Sequence, residues 1–200
     1  MILSLMCALA FALPQDAPGD VIVYKAAKVF TATGGIHTHD DLINRGMVAV
    51  QNGKIVWVGR EADAQIAPDT RVVDLGDQWL VPGIVEPHSH IAGAMGDLND
   101  SVFLSNPELH THSVLQPDNP YVKDALAGGI TTTLFIPGSG VNMSGFGMVD
   151  KMAGKTVEDV VLRSPGSLKV AQAGNPERYS WGIGRAFMNW NTRHTFKEGV

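Results

Sequence analysis

Cysteine is nearly absent: Cys7 is the single one in 200 residues. A disulfide framework is therefore excluded, and so is any site built from paired thiolates. No apolar run reaches the roughly 18 residues that a membrane-spanning helix needs. Lys and Arg form no block, and the formal net charge of −5 offers no footprint to nucleic acid or to an anionic membrane surface. Low hydrophobicity is not among the deficits. Apolar residues make up 44% of the chain against 18% charged, which suits a folded, core-forming protein rather than a disordered one.

The N-terminal MILSLMCALAFAL has the length of a signal-peptide core, and Ala10-Phe11-Ala12 resembles a small-x-small cleavage site. A basic residue near the start is missing. Residues 1–18 are expected to be a signal peptide of a secreted or periplasmic protein; without cleavage the chain would be cytoplasmic. Cleavage would remove Cys7, leaving no cysteine nucleophile and no membrane segment in the mature form.

Histidines are few but patterned. Six of the seven fall in His-x-His pairs: His37/His39, His88/His90 and His110/His112. Spacing alone cannot choose among three pairs, but context can. WLVPGIVEPHSH (residues 79–90) places the second pair directly after an apolar run, read as a strand buried on both faces. Residues two apart on a strand share a face, so His88 and His90 project side by side and can chelate one divalent ion. His37 and His39 lie in a polar loop and read as solvated. His110 and His112 lack a preceding strand and read as surface or supporting residues.

The rest of the chain supplies a scaffold. Residues 21–80 read as a small, mostly antiparallel β-domain, whose clearest piece is MVAVQNGKIVWVG. There Asn52-Gly53 separates two β-branched runs, as in a type I′ hairpin. Asn119-Pro120 starts a helix over residues 120–127 that Gly128-Gly129 ends. ITTTLFIP (130–137) follows as a buried strand, and residues 81–136 together make a βαβ unit. GSGVNMSGFGM reads as a glycine-rich loop. It fits neither the dinucleotide pattern nor a P-loop, because Val149 stands where a P-loop ahead of Gly154-Lys155-Thr156 needs its first glycine. Nucleotide binding is rejected. Thr156-Val-Glu-Asp carries a capping signature, SLKVA (167–171) reads as a third strand, and Trp181, Phe187 and Trp190 read as packing residues. The Asn99 and Asn142 sequons matter only where the source glycosylates.

In this order, NGKIVWVG, PGIVEPHSH, GGITTTLFIPGSG and LKVAQAGNPER resemble the metal-dependent amidohydrolase superfamily, within it the imidazolonepropionase-related group. The resemblance runs from about Val21 to at least Arg178. It implies an α/β fold in which a β-sandwich (here 19–80) precedes a (β/α)₈ TIM-type barrel with its metal site at the strand ends. Residues 81–200 would be the N-terminal part of that barrel, about three βα units, too few to close it. It further implies His88 and His90 as ligands to one or two divalent ions, zinc most often. Their chemistry would be a metal-activated water attacking a C–N bond of a non-peptide or cyclic amide in a small-molecule substrate. Homo-oligomerisation is left open.

Two departures stand out. Glu86 occupies the place where the family has Asp, and is read as a supporting residue and not a ligand. SGVNMSGFG differs from the family's glycine-glycine-glutamine pattern, so substrate contacts are not assigned. Lys169, in a predicted strand, is a subordinate candidate for a carboxylated ligand, and no catalytic residue is assigned. The chain is expected to be a fragment of a longer enzyme. The rival expectations are a non-catalytic relative that keeps the scaffold for binding, and a metal-independent carbohydrate- or peptide-binding module using the Trp-rich end.

Overall fold

The computed structural model describes residues 21–33, 41–179 and 183–199. The segment 1–18, His37, His39 and Trp181 lie outside these. The chain divides into two compact units, with the boundary between Pro82 and Gly83.

The first unit is a mixed sheet. Strand β1 (Ile22–Phe30) pairs antiparallel with β2 (Leu42–Gln51), which pairs antiparallel with β3 (Lys54–Arg60). The β2–β3 turn is the Asn-Gly hairpin: Gln51 faces Lys54, and Asn52 and Gly53 both take positive φ, 50° and 73°. β4 (Arg71–Asp74) and β5 (Trp79–Leu80) then add to the other edge of β1, both parallel to it. Successive residues Met47, Val48 and Ala49 on β2 are all buried, so both faces of this sheet are covered. Met47 and Ala49 pack with Val23 and Trp57, while Val48 packs with Ala26, Val29 and Leu80.

The second unit holds a four-stranded sheet in the order Val161–Arg163 (β10), Met148–Lys151 (β9), Ile130–Phe135 (β7) and Ile84–Ser89 (β6). β6 (Ile84–Ser89) and β7 (Ile130–Phe135) run parallel, joined through helix α1 (Pro120–Ala127), which is the βαβ unit expected from the pattern. Asn119 caps α1 by accepting from the Tyr121 amide at 3.0 Å, and its own amide donates to the Gly93 carbonyl at 3.0 Å. One buried side chain thus starts the helix and holds the loop that follows His90. Asn119→Ala should lower stability by about 1–2 kcal/mol, measured as the shift of a urea midpoint.

Three expectations need correction here. First, β6 is not buried on both faces, since Ile84 is 56% and Val85 64% exposed. β6 is the edge of its sheet, and among the described residues no strand pairs its far side. Second, the glycine-rich segment is not a loop. It forms β8 (Met143–Phe146) and β9 (Met148–Lys151), which bury Met143 and Met148 completely. Glycine permits this fold-back: Gly145 takes φ +102°, and a Cβ at Gly147 would come within 2.6 Å of the Phe135 carbonyl. Third, the expected third strand does not extend the parallel sheet. β9 takes the free edge of β7 in antiparallel sense, with β10 (Val161–Arg163) beyond it, and β11 (Leu168–Val170) pairs antiparallel with β8.

Between β9 and β10, α2 (Val157–Val160) begins with the expected capping box: Thr156 accepts from the Asp159 amide and the Asp159 carboxylate accepts from the Thr156 amide. α3 (Asn175–Tyr179) and α4 (Arg185–Glu198) close the described chain. On α4 only Met188 is buried. Phe187 and Trp190 are about half exposed and meet in a tilted ring contact with centroids 5.3 Å apart, so they do not serve as core packing.

A candidate metal centre at the end of β6

The geometry begins with Gly83. A Cβ there would collide with the Thr131 side chain, so only glycine lets the chain enter β6 this close to β7. At the other end the Ile136 amide donates to the Ser89 carbonyl at 3.0 Å. The Ile136 carbonyl accepts from His90 Nδ1 at 2.9 Å. A carbonyl has no proton to give, so Nδ1 is the protonated nitrogen and Nε2 carries the free lone pair. A backbone carbonyl bonded to one ring nitrogen in this way is the usual device that orients a ligand histidine.

His88 sits beside it. The two rings lie edge to face with centroids 5.2 Å apart, near enough for both to reach one ion. His88 is exposed, whereas Ser89 between them is buried, as strand alternation requires. Desolvation, then the Lys169 charge, then His90 hold the His88 imidazole below its ordinary pKa, and Glu86 opposes them. The neutral, ligating form is thereby favoured near neutral pH.

Glu86 and Lys169 occupy distinct roles. Glu86 Oε1 accepts from the His88 amide at 2.9 Å, so this carboxylate braces its own strand end. Lys169, on β11, is partly buried, and burial pushes its ammonium below the usual lysine range. Its charge acts on His88, so the chain brings His88, His90 and Lys169 into one neighbourhood. Among the described residues no group of three or more His, Cys, Asp or Glu side chains could hold a metal ion. The imidazole pair fits a divalent ion as part of a donor set, by its chemistry and by the tautomer that Ile136 imposes.

The remaining described histidines make other contacts. His110 is exposed and stacks on Phe146 at 5.6 Å, and His112 is exposed. His194, on α4, pairs with Glu198 at 3.0 Å and stacks on Trp190 at 4.7 Å.

Sequence reasoning missed three polar groups. Asp150 on β9 is 1% exposed and accepts from Thr133 Oγ1 at 2.7 Å. Its alternation with Met148 was a usable signal, because residues two apart share a face. Asn142 is fully buried and ties three segments together, which disqualifies its sequon as a glycan acceptor in the folded protein. Ser144 gave no signal.

No family model matches the chain. The sequence is 32% identical to an imidazolonepropionase of Colwellia psychrerythraea over 74 residues, covering 34% of this chain and 18% of that protein. It is 30% identical to an adenine deaminase of Paracoccus denitrificans over 80 residues, covering 40% of this chain and 12% of that protein. Among solved structures, an amidohydrolase from Thermotoga maritima superposes with a TM-score of 0.78 at 31% identity, covering 88% of this chain and 47% of that one. The chain spans less than half the length of each. Together the matches support the amidohydrolase superfamily. Within it, imidazolonepropionase-related members are among the proteins this chain resembles.

Proposed function

We propose that this chain is part of a metal-dependent hydrolase of C–N bonds other than peptide bonds, with His88 and His90 as two metal ligands. The observation that carries the reading is the His90 Nδ1 to Ile136 carbonyl bond, which leaves Nε2 ready to ligate beside His88. Relatives named imidazolonepropionase and adenine deaminase support the bond type. On this reading residues 19–80 contribute to a β-sandwich, and residues 81–200 to the first part of a (β/α)₈ barrel acting on a small-molecule substrate. The leader at 1–18 would route the protein out of the cytoplasm.

A divalent ion at this site, zinc by preference for imidazole donors, would act as a Lewis acid and activate water. The chain's own residues do the rest. Ile136 fixes the His90 tautomer, Glu86 braces the strand end at His88, and desolvation with the Lys169 charge favours the neutral His88 imidazole. Lys169 is the candidate third donor. With its pKa lowered, a larger share is free amine, which can attack carbon dioxide and lose a proton to give an anionic carbamate.

Elemental analysis of the purified protein tests the reading. Wild type should carry zinc in stoichiometric amount, and His88→Ala with His90→Ala should lose at least nine-tenths of it while circular dichroism is unchanged. A wild type that stays metal-free after incubation with zinc would point instead to a non-catalytic scaffold.

A further inference from the structure

A small cleft of about 90 Å³ opens in the second unit, lined among others by Asp97, Asp100, His110, Thr111, Pro137 and Ser144. It has room for a group of several heavy atoms. Pro137 follows directly on Ile136, whose carbonyl orients His90, so the cleft adjoins the strand end that carries the candidate metal centre.

Its polar lining comprises two carboxylates, the His110 imidazole and the hydroxyls of Thr111, Ser113 and Ser144. Asp97 and Asp100 bring two carboxylates, and among the described residues neither forms an ion pair with Lys, Arg or His. Thr111 is already committed, its hydroxyl donating to the Phe135 carbonyl at 3.1 Å. Ser144 is not. It is 6% exposed, and its Oγ is buried without a hydrogen-bond partner among the described residues. A buried hydroxyl with no partner is uncommon in a folded protein and costs stability, which marks a position where a ligand group completes the bonding. The His110 ring, held flat against Phe146, offers a planar wall.

We propose that this cleft is a subsite for a small planar nitrogen cation, of the guanidinium or amidinium class, forming one end of the substrate. Two carboxylates match the charge, Ser144 Oγ accepts an N–H, and the imidazole face stacks against the delocalised plane. The assignment of the cation to a substrate rests on the hydrolase reading above; the binding itself does not.

Methylguanidinium is a suitable probe, with methylurea as the neutral analogue of the same shape, titrated into the full chain and followed by NMR shifts of the Ser144 and His110 amides. Methylguanidinium should bind at least tenfold more tightly than methylurea. Asp97→Asn with Asp100→Asn should weaken it tenfold or more, and Ser144→Ala several-fold without lowering the melting temperature. Equal binding of the two probes, or affinity unchanged in either variant, overturns the proposal. The titration is repeated in the His88→Ala, His90→Ala protein, where binding should persist. Persistent binding with a metal-free wild type would sink the hydrolase reading alone, and a metal-loaded protein that ignores methylguanidinium would sink the subsite alone.

Discussion

Replacing Asn142 by Leu is expected to cost about 3–5 kcal/mol, enough to unfold much of the second unit given typical domain stabilities of about 5–15 kcal/mol. The side chain is fully buried and bonded through both its oxygen and its nitrogen. Its amide donates to the Ala171 carbonyl at 2.9 Å, and its carbonyl accepts from Asn191 at 2.8 Å and from Thr192 at 3.2 Å. The main chain adds a bond from the Ala171 amide to the Asn142 carbonyl at 2.8 Å. Asn191 continues the network to Ser105 Oγ at 2.7 Å. Leucine keeps the volume and strands three partners at once, and each buried unsatisfied group costs about 1–3 kcal/mol. Urea unfolding followed by circular dichroism gives the number. A double-mutant cycle with Asn191→Ala should show coupling of about 1–2 kcal/mol. A loss below 1 kcal/mol would mean that α4 is held by something other than this network.

The second large effect depends on pH. Asp150 lies within the sheet among apolar side chains, and burial pushes its carboxyl up to about 6 from the ordinary 3.8, although the Thr133 hydroxyl partly offsets this. Between pH 3.8 and about 6 the folded chain keeps a proton that the unfolded chain has released. Stability from this group therefore falls as pH rises through that window and stays low above it. The full span corresponds to about 3 kcal/mol as an upper figure. Replacing both partners with apolar residues, Thr133→Val with Asp150→Leu, removes the penalty without leaving an orphan. The double variant should be more stable than wild type at pH 8 by about 1–3 kcal/mol, and the gap should narrow at pH 5. Chemical denaturation at the two pH values decides it. A gap that is equal at both, or a double variant less stable at pH 8, would show that Asp150 is paired or hydrated when ionised.

Local chemistry made part of this protein legible in advance. Asn52-Gly53 must take positive φ twice, and Asn119-Pro120 presents both a cap and a fixed φ, so each names its own structure. The neighbourhood of His88 and His90 was readable because strand alternation places them together without help from distant residues. What failed was non-local. The exposure of Ile84 and Val85 depends on β6 lying at an edge, which no property of IVEPHS records. The glycines in GSGVNMSGFGM suggested a loop, yet they are what allows β8 and β9 to return against β7 and bury two methionines. Asp150 drew no assignment, because the charge of a residue says nothing about which face of a sheet will be covered.

The bond from His90 to Ile136 spans 46 positions of sequence. In a chain whose strands have not yet met, the imidazole has no fold-imposed preference between its two nitrogens. The preference arrives only when β6 and β7 align, a contact that closes a long loop and so forms late. His-Ser-His by itself therefore does not set which nitrogen of His90 carries the free lone pair. The tautomer is chosen by a parallel strand pairing, and whatever disturbs the pairing releases the His90 imidazole from that choice.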